Sequence, residues 1–138
     1  MKMPTRKPAN PVEQRRWEMQ TCRVRASSVR DAFPHVAVIR IDLDFVSGFS
    51  RPPSPQTFFL YPAAHAFFRF ACPCADCDGD FNLTMDVTEL ATVRKSSSTP
   101  GRSLAGQNSC QGVRRRDTDH SQPCGIELNY RIAVELTS

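Results

Sequence analysis

Apolar and polar side chains alternate most regularly near the end of the chain. Over residues 126–136 the apolar positions are Ile126, Leu128, Tyr130, Ile132, Val134 and Leu136. Residues 38–45 repeat the pattern, with apolar Ile39, Ile41, Leu43 and Phe45 facing away from Arg40, Asp42 and Asp44. Because successive side chains of a strand point to opposite faces, a period of two predicts two strands, each with one buried and one solvated face.

Shorter strands are predicted on both sides of a cysteine-rich turn. Residues 66–70 lead into this turn, and residues 81–85 leave it with the same alternation. Two strands joined by one short connection favour a β-hairpin. Residues 58–61 predict a further strand, whereas the proline-rich residues 47–56 cannot enter the interior of a sheet.

The first helical signals lie in the N-terminal third. Residues 12–24 predict a helix that can end as a strand, anchored to the core by Trp17, the single tryptophan. Ser28 followed three residues later by Asp31 resembles a capping box and predicts a short helix that ends near Phe33.

A further helix is predicted over residues 87–94, opened by Asp86 and Glu89, with Val87 and Leu90 turned toward the sheet. Together these elements predict an α+β fold, in which a small antiparallel sheet of four or five strands carries two or three short helices.

The length of 138 residues suits one domain. Residues 1–11 are predicted to be a disordered basic leader, and residues 12–138 a single metal-stabilised β-rich domain. Within it, the polar residues 95–109 are predicted to be a flexible loop. The net charge of +4 is a mild excess that is compatible with an anionic partner.

The cysteines have to be interpreted together with the compartment. No apolar run that would serve as a secretory signal or a membrane span is visible, so we expect a cytoplasmic protein. In a reducing compartment, clustered thiols indicate metal binding or redox chemistry more often than disulfides.

Five of the six cysteines are candidate ligands of a structural zinc ion: Cys72, Cys74, Cys77, Cys110 and Cys124. Tetrahedral zinc takes about four such ligands, so one thiol is left over. The spacing leaves two choices open in the first turn, since either Cys74 or Cys72 can pair with Cys77. The remaining cysteine, Cys22, is expected to be a small buried hydrophobic residue.

The cysteine pattern resembles a zinc ribbon, in the sense of two cysteine pairs held by β-hairpins, over residues 66–136. The sequence motif Cys-Pro-x-x-x-Cys-x-Gly-x-Phe-x-Leu, followed by Cys-x-Gly and a later Cys, also resembles short bacterial proteins of unassigned function. This resemblance implies a metal site. The chain departs from a zinc ribbon in having a third cysteine in the first turn and no tight second pair.

No catalytic constellation with a recognisable spacing is present, which favours a non-catalytic binding or interaction module whose partner is a protein or an assembly. Two alternatives remain. The basic triplet Arg114, Arg115 and Arg116 would suit a nucleic-acid-binding or regulatory protein. Cys74 and Cys77 form a C-x-x-C pair that would suit a thiol redox protein.

Overall fold

The computed structural model describes residues 11–46, 53–74, 77–92, 101–117 and 120–137. Residues 1–10 of the predicted leader and residues 47–52 of the proline-rich segment lie outside these ranges. Within them the helices are α1 (Pro11–Arg25), α2 (Val29–Ala32) and α3 (Thr84–Ala91). The strands are β1 (Val36–Val46), β2 (Gln56–Leu60), β3 (Arg69–Ala71), β4 (Asp80–Asn82), β5 (Gly101–Ser109), β6 (Val113–Asp117), β7 (His120–Pro123) and β8 (Glu127–Leu136).

The strands form one larger sheet and two separate hairpins. The larger sheet is antiparallel and has the strand order β2-β1-β8-β5, while β3 pairs with β4 and β6 pairs with β7. The predicted α+β fold with a small antiparallel sheet is therefore confirmed, as is the hairpin around the cysteine-rich turn.

The centre of the sheet is the long pair β1 and β8, in which Ile41 lies opposite Ile132 and Asp42 opposite Arg131. The face predicted to be apolar is buried in both strands, whereas Arg40 and Asp44 are exposed. Helix α3 covers the buried face with Val87 and Leu90. The predicted periodicity of both strands is therefore confirmed.

Helix α3 begins at Thr84, three residues before the predicted start, and it shortens the strand predicted over residues 81–85. The side chain of Asn82 accepts a hydrogen bond from the Thr84 amide at 3.0 Å, so Asn82 satisfies an amide at the helix start. Asp86 lies inside the helix, where it accepts a hydrogen bond from the Tyr130 hydroxyl at 2.7 Å.

Residues 101–109 form the edge strand β5, so the predicted flexible loop is wrong for this part of its range. Leu104 pairs with Ile132 of β8, and Gly106 leaves room for the ring of Tyr130, which a Cβ at residue 106 would meet. Pairing with a well-formed neighbour overrides the low strand propensity of a polar, glycine-containing segment.

Helix α1 packs through Val12 and Met19, which are buried, while Trp17 is 45% exposed. The predicted anchoring role of Trp17 is therefore wrong, because helical spacing turns it away from the face that carries Val12 and Met19. Cys22 is exposed as well, so its predicted burial is also wrong. None of the helices in the described ranges has the length and hydropathy needed to cross a membrane.

Candidate metal centre

The β3-β4 hairpin holds the first two thiols. Cys72 directly follows β3, and its amide donates to the carbonyl of Gly79 at 3.0 Å. Between them the amide of Cys77 donates to the carbonyl of Cys74 at 3.2 Å. The side chains of Cys72 and Cys77 are both buried.

The second two thiols come from the segments on either side of the β6-β7 hairpin. Cys110 follows β5, and its amide donates to the carbonyl of Ile126 at 2.7 Å. The amide of Cys124 donates to the carbonyl of Gly112 at 3.0 Å. Because β5 and β8 are neighbours in the larger sheet, the sheet positions both of these buried cysteines.

The centre has two halves, Cys72 with Cys77 and Cys110 with Cys124. Both repeat one local arrangement, a cysteine followed two residues later by a glycine. The Gly79 amide donates to the sulfur of Cys77 at 3.3 Å, and the Gly112 amide donates to the sulfur of Cys110 at 3.3 Å. In each half the glycine carbonyl then accepts from the other cysteine of that half. Amide donors aimed at sulfur favour the thiolate form.

The Sγ atoms of Cys72, Cys77, Cys110 and Cys124 all lie within 4.8 Å of one another. The Sγ atoms of Cys72 and Cys124 are 3.6 Å apart, and those of Cys77 and Cys110 are 3.5 Å apart. A disulfide would require about 2.05 Å. Four sulfurs at about 2.3 Å around one tetrahedral ion lie about 3.8 Å from each other, so the cluster suggests a metal site.

Cys74 is outside this four-sulfur group. Of the two pairings that spacing alone left open, the turn therefore contributes Cys72 and Cys77 to the group. The hydrogen bond from the Cys72 amide to the Gly79 carbonyl ties Cys72 to the segment that carries Cys77, and both of their sulfurs belong to the group.

Gly79 and Gly112 are in contact where the two halves meet. A Cβ at residue 79 would lie 2.5 Å from the sulfur of Cys110 and 2.9 Å from the backbone of Gly112. A Cβ at residue 112 would meet the backbone of Gly79 and the sulfur of Cys77. The two halves approach this closely only because neither glycine carries a side chain.

Burial dominates the acid-base behaviour of these thiols. It raises the pKa of Cys77 to about 12, against the opposing hydrogen bond from the Gly79 amide. Burial likewise raises the pKa of Cys72 and of Cys110, with the amides of Cys74 and Gly112 opposing it. Burial therefore favours the protonated form of Cys72, Cys77 and Cys110, and a bound cation would have to displace their protons.

Helix α1 is joined to the first half by two arginines. The guanidinium of Arg16 donates to the carbonyls of Cys72 at 3.3 Å and Cys74 at 3.0 Å. Arg15 contacts Asp80 at 3.2 Å, and Arg69 contacts the other oxygen of Asp80 at 2.9 Å. No sequence motif points to these contacts, because Arg15 and Asp80 are separated by 65 residues.

Burial of Asp80 raises the pKa of its carboxyl, but the hydrogen bonds and charges of Arg69 and Arg15 outweigh burial. The net result is a lowered pKa, so Asp80 is ionised at neutral pH and holds α1 against the hairpin.

The basic triplet Arg114, Arg115 and Arg116 belongs to β6, but its side chains lie outside the part of the structure that is described. A contact between this triplet and nucleic acid therefore stays a prediction.

These features define a small α+β protein with a buried four-cysteine centre between two hairpins. No protein-family model, curated protein or solved structure matches the chain. The likeness to a zinc ribbon therefore depends on the cysteine pattern and on the geometry of the cluster alone.

Proposed function

We propose that this protein is a zinc-binding interaction module, in which Cys72, Cys77, Cys110 and Cys124 hold one structural zinc ion. The observation that carries the proposal is the group of four buried sulfurs within 4.8 Å of one another. Four thiolates in a tetrahedron suit zinc, and a closed set of four ligands leaves no position for a reacting water. A reducing compartment such as the cytoplasm would keep the thiols available for the metal.

The ion would act by joining two parts of the chain. The β3-β4 hairpin has only three paired residues in each strand, and such a hairpin is marginal by itself in water. Bound zinc would fix this hairpin to the ends of β5 and β8, and it would give the surface around the hairpin a defined shape. Binding of a partner, rather than catalysis, is the role that this architecture supports.

The test is elemental analysis of the purified full-length protein, made under reducing conditions. We expect about one zinc ion per chain, and loss of the ion in Cys110→Ser. Cys22→Ser is a matched control because Cys22 is exposed and is not one of the four clustered cysteines. Cys74→Ser separates the four-sulfur group from the alternative C-x-x-C pair, and this variant should retain the ion.

Well under one metal ion per chain in the wild type, with an unchanged unfolding midpoint after chelation, would falsify the proposal. Loss of the ion in Cys74→Ser with retention in Cys72→Ser would show that the ligand set is wrong.

A further inference from the structure

A groove of about 530 Å³ lies between helix α1 and the aromatic side chains of the neighbouring strands, and it opens to solvent. One wall is a single face of α1, formed at helical spacing by Arg16, Met19, Gln20 and Arg23. The facing wall carries four phenylalanines, Phe45, Phe58, Phe67 and Phe70. A guanidinium-bearing wall thus faces an aromatic one.

A second cavity of about 340 Å³ continues the groove. The two cavities share five lining residues, Arg23, Phe58, Phe67, Arg69 and Phe70. The rings of Phe58 and Phe70 lie with their centroids 5.3 Å apart, and Phe58 remains 37% exposed. The shared residues join the two cavities into one continuous track, which suits a chain-like ligand that extends from one cavity into the next.

The described residues that line this track carry charge of one sign only. None of the described residues that line either cavity carries a carboxylate. Arg69 is paired with Asp80, but Arg16 donates to neutral carbonyls, and Arg23 forms no ion pair with a described residue. By contrast, the neighbouring pocket on the other side of α1 mixes Arg15 with Glu18, Asp78 and Asp80.

Phosphate groups and flat, unsaturated rings are the two chemical features that such a track would recognise. Arginine binds phosphate, and half-buried phenylalanines such as Phe67 and Phe70 stack against bases. Single-stranded nucleic acid presents both features at regular intervals, with bases that are free to turn toward a protein surface. An acidic peptide would satisfy the arginines but would leave the aromatic wall without a matching group.

We propose that this groove binds single-stranded nucleic acid, with the backbone phosphates against Arg16 and Arg23 and the bases against Phe58, Phe67 and Phe70. The inference rests on the proposed zinc-binding function, because Cys72 and Pro73 of the metal-holding turn form part of the same groove. Arg16 joins the two sites directly through its hydrogen bonds to the carbonyls of Cys72 and Cys74.

The test is fluorescence anisotropy with labelled ten-nucleotide oligo(U) and oligo(dT), using the zinc-loaded full chain at low salt. Arg23→Gln should weaken binding about tenfold and reduce the slope of log affinity against log salt by about one. Phe67→Leu keeps an apolar side chain but removes the ring, and it should weaken binding about tenfold with little change in the salt slope. The matched control is Arg102→Gln, since Arg102 is exposed on β5 and lines neither cavity.

Zinc content is measured on every sample, so that the two proposals fail separately. About one zinc ion per chain with no binding of either oligonucleotide at low salt would overturn the proposal for the groove and leave the proposed metal centre intact. An equal loss of oligonucleotide affinity in Arg102→Gln and Arg23→Gln would show diffuse charge attraction, and it would also overturn the proposal for the groove. Equal affinity for an oligoglutamate peptide would show that the occupant is wrong, whereas the absence of zinc would overturn the proposed function.

Discussion

The central sheet and the cysteine-rich end of this protein are held together in different ways. Strands β1 and β8 pair along ten residues of β1 and bury a continuous apolar face, so this part depends on hydrophobic burial and backbone pairing. Strands β3 and β4 pair over only three residues, and four clustered sulfurs lie beside them. Under the proposed function, hydrophobic burial and strand pairing stabilise the first region, and a bound ion stabilises the second.

Removing the metal should have the largest effect and should separate the two regions. At a free zinc concentration about a thousand times Kd, bound ion contributes about 4 kcal/mol to the free energy of unfolding, and chelation removes it. Hydrogen exchange measured with and without chelator should show faster exchange at the amides of Cys72 and Cys124. The amides of β1 and β8 should keep most of their protection, and equal loss of protection in both regions would contradict the comparison.

A cavity in the sheet should act independently of the metal. Ile132 is fully buried on β8, so Ile132→Ala should lower the free energy of unfolding by about 3 kcal/mol. Chemical denaturation of the zinc-loaded protein measures this loss, and the metal content should stay at the wild-type value. Loss of zinc from folded Ile132→Ala would mean that the two regions are coupled more tightly than the architecture indicates.

A methyl group where the two halves meet should weaken the metal centre. In Gly79→Ala the new methyl group would press on the sulfur of Cys110 and on Gly112. We therefore expect the free energy of unfolding to fall by about 2 kcal/mol, and the affinity for zinc to be lower in a competition titration. Gly125→Ala is the matched control, next to Cys124 at a positive φ of 66° with nothing within 4 Å of the new Cβ. It should cost about 1 kcal/mol of backbone strain and leave zinc affinity unchanged.

The smallest effect concerns the ion pairs that join α1 to the cysteine-rich end. The folded-state pKa of Asp80 is lowered, so ionised Asp80 stabilises the fold above its ordinary pKa near 3.8. This contribution is lost as the pH falls through the folded-state value. Asp80→Asn should therefore lower the free energy of unfolding by about 1 kcal/mol at pH 7. Chemical denaturation at decreasing pH should show this difference from the wild type becoming smaller toward pH 3.

Any zinc that is lost at low pH is lost from both proteins, so the difference between them isolates the carboxylate. A difference that stays constant from pH 7 to pH 3 would contradict the assigned role of Asp80.

The sequence predicted those parts whose signals are local. Alternation at Ile39, Ile41 and Leu43 was sufficient for β1, and Ser28 with Asp31 was sufficient for α2, where the Ser28 hydroxyl accepts from the Asp31 amide. Strand β5 was missed because its polar residues acquire strand structure only by pairing with β8.

The cysteines were found as a group, but spacing left Cys72 and Cys74 as rivals in the first turn. The folded hairpin brings Cys72 to the other sulfurs, with its amide bonded to the Gly79 carbonyl, and no short motif specifies this long-range arrangement. The contact of Arg16 with the cysteine turn was also beyond sequence reasoning, because it is made across 56 residues of chain to Cys72 and 58 to Cys74.

Two close sulfur pairs of the centre join residues that are far apart along the chain. Cys72 and Cys124 are separated by 52 positions, and Cys77 and Cys110 by 33. Bringing such distant residues together carries a loop-closure entropy and slows their encounter during folding. Under the proposed function, an ion that needs all four thiols would be held completely only after these distant segments have met, so the kinetics of metal uptake would report on a late step of folding.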